Sequence, residues 1–158
     1  MNTNSEDLRE KAYKIWRTRE AEESERRRQE GKVAIWLERG PNDAETFTKE
    51  HQAELHDIIG ALHKDGIELE APFMAVDAAD AICGYTGQLV ISLAQIASPV
   101  LMAALVAWLK GRPPRKVRIE FHANGKVKTI ETQTDDQVLS LVKALDKEAR
   151  AKVQKTRK

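Results

Sequence analysis

The residues best suited to bond-making or metal binding are three clustered histidines, His51, His56 and His63, and a single cysteine, Cys83. Two imidazoles four residues apart on a helix can share a metal ion, because that spacing stacks them on one face. Here the spacings are five and seven residues. Five residues turn a helix through about 140°, so His51 and His56 face apart. His56 and His63 share a face, next to Glu54 and Asp57. They define the enzymatic reading, a small enzyme using His56, His63 or Cys83. No base neighbours Cys83 in the sequence, and a small buried hydrophobe is its simpler role. With no catalytic signature, metal-ligand spacing or phosphate loop, neither a cofactor nor a metal is expected.

Recognition chemistry offers a second set. Trp108 is followed by Lys110, Arg112, Arg115 and Lys116. Tryptophan is enriched at binding hot spots, and a guanidinium suits planar acids. These five are the candidate partner-binding residues. Trp108 has an alternative role, filling the core at the end of its own helix.

All of these side chains depend on what Ala81 to Leu109 does. It is 29 residues without a charge, in a chain where 32% of residues are charged. Gln88 to Leu109 alone supplies 22 residues, and a transmembrane helix needs roughly 20. The flanks are lopsided: residues 41–80 carry ten acids against Lys49 and Lys64, and residues 110–158 carry fourteen bases against six acids. A span near 88–109 would then put the basic C-terminus in the cytoplasm. Against it, Gln88, Ser92, Gln95 and Pro99 fall within an arc of about 60° at helical spacing, a stripe suited to a helix facing water or a polar neighbour. Ser98-Pro99 also reads as an N-cap and first helical residue. The favoured expectation is two buried helices, near 81–97 and 99–110, stopped by Gly111.

Around that stretch the chain reads as one domain, which 158 residues are enough to build. Net charge is +1, so bulk electrostatics select no particular partner, and no specific nucleic acid is expected. A single cysteine fits a reducing compartment. Residues 1–30 contain no apolar signal-peptide core. A cytoplasmic location is expected, with the inner membrane as the alternative.

In chain order, residues 5–30 favour a helix with Leu8, Ala12, Ile15 and Trp16 on one stripe. Residues 17–32 then lack any apolar residue except Ala21. Leu8 to Trp16, L-R-E-K-A-Y-K-I-W, resembles the opening I-R-x-x-A-Y-x-x-W of a short bacterial helical domain of unknown function, which implies no activity. Lys32 to Glu38 is an interior strand by its apolar faces. A helix over roughly 45–64 buries Leu55, Ile58, Ile59 and Leu62, and Ile67 and Leu69 begin a second strand. Strand, helix and strand in that order predict a right-handed crossover onto a parallel pair.

Beyond the connector Lys110 to Lys116 lies a hairpin. Asn124-Gly125 is its two-residue turn, pairing Ile119 with Ile130 and Val117 with Thr132. Thr134 to Gln137 is a capping box. It opens a last helix with Val138, Leu141, Val142 and Leu145 inward. Residues 150–158 carry five bases and are expected to fray.

The result is an α+β chain in three parts: a charged N-terminal helix (1–31), an α+β domain with a small mixed sheet in the order β-α-β-α-α-β-β-α (32–150), and a basic tail (151–158). Leu105 to Arg112, Val117-Arg118-Ile119, Gly125-Lys126-Val127 and Val138 to Leu145 together resemble the effector-associated constant component domains of bacterial conflict and signalling systems. That resemblance implies an adaptor role for residues 32–150. A non-enzymatic interaction domain that binds another protein or a second copy of itself is therefore the leading functional expectation. The opposed charges of 41–80 and 110–158 are its electrostatic support.

Overall fold

Val33, Ile35 and Leu37 alternate with Ala34 and Trp36, and a strand apolar on both faces belongs inside a sheet. Lys32–Glu38 (β1) is indeed the middle strand of five. The computed structural model describes residues 3–45, 47–76, 82–123 and 126–157. Its helices are Thr3–Gln29 (α1), Lys49–Lys64 (α2), Pro99–Gly111 (α3) and Asp135–Thr156 (α4). The remaining strands are Leu69–Glu70 (β2), Phe73–Val76 (β3), Ile82–Tyr85 (β4), Gln88–Ser92 (β5), Lys116–Ala123 (β6) and Lys126–Thr132 (β7). The α+β class with an N-terminal helix is as expected.

The sheet runs β2-β5-β1-β6-β7, and β3 and β4 form a separate two-stranded ribbon. Every pairing among the described residues is antiparallel, so the expected mixed sheet is corrected. β1 and β2 both run antiparallel to β5, which lies between them. They share a direction, as a crossover through α2 requires, but they do not touch.

The second correction has the same cause. The helix expected at 81–97 is instead β4, β5 and a short 3-10 turn at Leu93–Gln95. A short apolar run carries no period that separates strand from helix, and here the glycines decide. Gly84 and Gly87 have φ of 155° and 90°, values that L side chains rarely adopt. A Cβ on Gly84 would collide with the Gln52 side chain, and one on Gly87 would come within 3.0 Å of the Leu37 carbonyl oxygen. Val90 and Ile91 add β-branched residues suited to a strand. Gln88 to Leu109 is thus divided into strand, turn and a 13-residue helix. No helix among the described residues is long and apolar enough to cross a membrane, and residues 88–109 do not form the single helix that the alternative membrane reading requires. Asp77 and Asp80, either of which could cap a helix beginning near Ala81, lie outside the described residues.

The second expected helix is present as α3, with Pro99 in its first turn, although Ser98 makes no side-chain capping bond. Thr48 caps α2 by accepting from the His51 N–H, and Thr134 with Gln137 forms the complete capping box of α4. Ile119 pairs with Ile130 and Val117 with Thr132, as the hairpin register predicts. Its turn, Asn124-Gly125, lies outside the described residues. The basic tail is largely helical: α4 continues to Thr156, carrying three largely exposed turns past Leu145, the last buried residue among those described.

One face of the sheet holds the core. Val33, Ile35, Leu37, Leu89, Ile91, Val117, Ile119 and Phe121 meet Leu55, Ile59 and Leu62 of α2, Leu101, Leu105, Trp108 and Leu109 of α3, and Val138, Leu141, Val142 and Leu145 of α4. Each such side chain stabilises the fold by about 1.5–3 kcal/mol through burial. The opposite face, which carries Ala34, Trp36, Gln88, Val90, Arg118 and Glu120, is partly covered by the C-terminal half of α1.

Candidate functional site

Two of the five expected partner residues are not at the surface. Trp108 is 1% exposed and Arg115 2% exposed. The Arg115 guanidinium lies 3.8 Å from the centroid of the Trp108 ring. Its Nε donates to Asp43 Oδ2 at 2.9 Å, and its Nη2 donates to Asp43 Oδ1 at 3.0 Å and to Glu54 Oε2 at 2.8 Å. Its Nη1 donates to Glu54 Oε1 at 2.6 Å and to the Trp108 carbonyl at 3.4 Å. These five bonds employ all five N–H groups of the side chain. The planar acids that a guanidinium beside a tryptophan would suit are the chain's own.

Further bonds lock this knot. Asp43 Oδ2 also accepts from the Gly40 N–H at 2.8 Å, and Trp108 Nε1 donates to the Lys116 carbonyl at 3.2 Å. His51 is buried edge-on to Trp108, with centroids 5.7 Å apart. Burial pushes the Asp43 carboxyl upward, but the Arg115 hydrogen bonds and the Gly40 N–H outweigh it and hold the carboxyl below its usual range. The guanidinium is held more firmly protonated by Glu54 and Asp43, against its own burial. Burial lowers the His51 pKa, opposed by nearby Glu54 and Asp43.

The other three expected partner residues are at the surface. Lys110 pairs with Asp135 at 2.9 Å, Arg112 with Glu50, and Lys116 with Glu131 at 3.6 Å. The opposed charges of 41–80 and 110–158 therefore meet partly within one chain, through Arg112–Glu50, Arg115–Asp43 and Arg115–Glu54.

Of the enzymatic candidates, the two histidines stand about two helical turns apart. His56 and His63 are exposed on α2, and His56 lies 6.4 Å from the Tyr85 ring between centroids. Cys83 pairs through its backbone with Ala75 in the β3–β4 ribbon; its side chain is outside the described residues. That ribbon is held to α2 by Gln52, whose Nε2 donates to the Tyr85 carbonyl at 2.9 Å while its Oε1 accepts from the Tyr85 N–H at 2.7 Å. Among the described residues no group of three His, Cys, Asp or Glu could hold a metal ion.

A groove of about 340 Å³ opens between α1 and the second face of the sheet. Trp16, Trp36, Ala71, Pro72 and Val90 supply apolar lining, with Arg19, Glu20, Glu23, Arg26 and Glu70 among its charged groups. Beneath α1, Arg27 is buried and pairs with Glu20 at 2.6 Å and Glu120 at 3.5 Å. Ser24 donates to Glu120 at 3.0 Å, and Gln88 Nε2 donates to Glu20 at 3.5 Å. Arg118 lies 5.0 Å from the Trp36 ring centroid. At the rim, Arg26 pairs with Glu23 at 2.6 Å and Glu70 at 3.4 Å, and Lys32 with Glu70 at 2.8 Å.

No family model, curated protein or solved structure matches this chain. The groove must therefore be read from its own chemistry. Two indole rings and a proline offer apolar area, and charges of both signs can meet a peptide backbone or polar side chains. Among the described residues lining it, no nucleophile is hydrogen-bonded to a base. Its main signals in the sequence are Trp16 at the end of an apolar stripe and Trp36 on the second face of β1. The segments that frame them, the charged half of α1 and Ala71-Pro72, gave no hint of packing together.

Proposed function

We propose that this chain is a non-enzymatic interaction domain, an adaptor that holds a segment of another protein in the groove between α1 and the sheet. One observation carries the reading: the apolar groove between Trp16 and Trp36, open to solvent and rimmed by arginines and glutamates. Interfaces concentrate their energy in tryptophan and arginine set in such pockets, with a polar rim around them. The resemblance of Leu105 to Leu145 to effector-associated constant component domains supports the same role, in a bacterial conflict or signalling system. A cytoplasmic location belongs to this proposal and fits a chain with one cysteine.

A photo-crosslinking amino acid at Arg19, on the groove, and another at Lys143, exposed on α4, would be compared in living cells. A dominant adduct from position 19 that is lost on Trp36→Ala, with the variant still folded, is expected. Adducts equal in identity and yield from both positions, or none from position 19, would count against the groove.

A further inference from the structure

The two edges of the five-stranded sheet are unequal. β2 is two residues long, whereas β7 runs for seven, and Lys126 through Glu131 are exposed along it. Among the described residues β7 pairs only with β6. Leu37 donates its N–H to the Gly87 carbonyl at 2.9 Å, away from β6, so by alternation Trp36 bonds to Arg118 of β6, and Ala123 and Lys126 form a hydrogen-bonded pair. By alternation, Lys128, Ile130 and Thr132 also exchange bonds with β6, and Val127, Thr129 and Glu131 direct their N–H and C=O groups outward.

An open groove of about 400 Å³ follows this edge, bounded by Ile130 and Thr132 on one side and Asp136, Gln137 and Ser140 of α4 on the other. Ile130 is 40% exposed within it. Lys128 pairs with core-facing Phe121 and so lies on the α4 side of the sheet, as Ile130 and Thr132 do. One end of the edge is thus basic, at Lys126 and Lys128, and the other is acidic, at Asp136.

From this arrangement we infer that β7 pairs with β7 of a second copy, antiparallel and about a two-fold axis through Ile130. An axis perpendicular to the sheet keeps the two core faces on the same side and pairs residues whose numbers sum to an even value. This register sets Ile130 against Ile130, Thr129 against Glu131 and Lys128 against Thr132. Each Lys128 then reaches toward Asp136 of the other copy, and the contact occurs twice. Lysines on a free edge discourage pairing with arbitrary strands. A second copy answers them with a carboxylate at the matching place, so the same residues that repel other strands admit this one. The interface is separate from the α1 groove and stands whether or not that groove binds anything.

Sedimentation velocity of the full chain over a concentration series is the test, with Lys128→Glu, Lys128→Glu/Asp136→Lys and Thr129→Pro compared against the wild type. A concentration-dependent dimer is expected. Lys128→Glu should weaken it about tenfold, and the double charge exchange should restore it. Thr129→Pro, which removes an outward N–H, should abolish it. Circular dichroism confirms that each variant is folded, and the exposed Lys128→Glu decides alone if the proline variant is not. A wild type that stays monomeric throughout overturns the proposal. So does a dimer indifferent to Lys128→Glu, or one that the double exchange fails to restore.

Discussion

The Arg115 guanidinium stacks 3.8 Å over the Trp108 ring while binding Asp43 through two parallel hydrogen bonds. A cation beside an indole, read in the sequence as a docking surface, is the fastening between the 39–48 loop, α2, α3 and β6. Removing one partner from a buried ion pair strands the other's charge.

Arg115→Met should therefore lower unfolding free energy by about 3–5 kcal/mol. Lys110→Ala, at the exposed start of the same connector, and Lys116→Ala, half-buried at its end, should stay within about 0.5 kcal/mol. Urea titrations of the three variants measure the contrast. Equal losses at all three positions would show that Arg115 is not the fastening.

The same knot sets a pH dependence. The folded-state pKa of His51 is lowered, chiefly by burial, so the unfolded chain binds its proton first as pH falls. Stability contributed by neutral His51 is intact above the ordinary imidazole pKa of about 6.5, and it is lost as pH drops from there toward the folded value. Asp43 is also lowered, and its contribution is lost further down, below the ordinary carboxylate pKa of about 3.9. Melting temperature followed from pH 8 to 5 should decline in the wild type and decline less in His51→Gln. A parallel decline in both would remove His51 as the source.

Gln52 holds the β3–β4 ribbon through one amide. Gln52→Ala should accelerate hydrogen exchange at the Tyr85 N–H, leave the Ile119 and Ile35 amides protected, and destabilise the fold by about 1–3 kcal/mol. Gly84→Ala, which inserts a Cβ where that amide sits, should reproduce the exchange pattern. Unchanged exchange at Tyr85 in Gln52→Ala would contradict the clamp.

Thr134 and Gln137 bond reciprocally at the start of α4. Thr134→Ala should lower stability by about 1 kcal/mol, and Thr134→Ser should keep most of it. Guanidinium denaturation distinguishes the two.

Much of this architecture is legible in the residues. The hairpin register, the capping box and the inward stripe of α4 follow from local rules acting within a few positions. The fate of 81–97 is not local. Its apolar residues suit a helix as well as a strand, and the choice falls to Gly84 and Gly87, whose backbones face Gln52 and Leu37, far away in sequence. Arg115 was hidden for the same reason, since Asp43 and Glu54 lie 72 and 61 residues before it. The opposed charges of the two segments did announce a pairing. What they could not convey was that part of it would close within one molecule, through Arg112 and Arg115.

β5 completes the sheet between two strands that precede it in the chain. In the finished sheet the lane between β1 and β2 is filled by residues that come after both, so a chain ending before Gln88 holds no strand partner for either. Residues 88–92 fill that lane when they arrive, and β6 closes the far side of β1 later still. A chain halted before Gln88 would carry β1 and β2 with neither strand's edges paired, the condition under which partly made proteins adhere to one another.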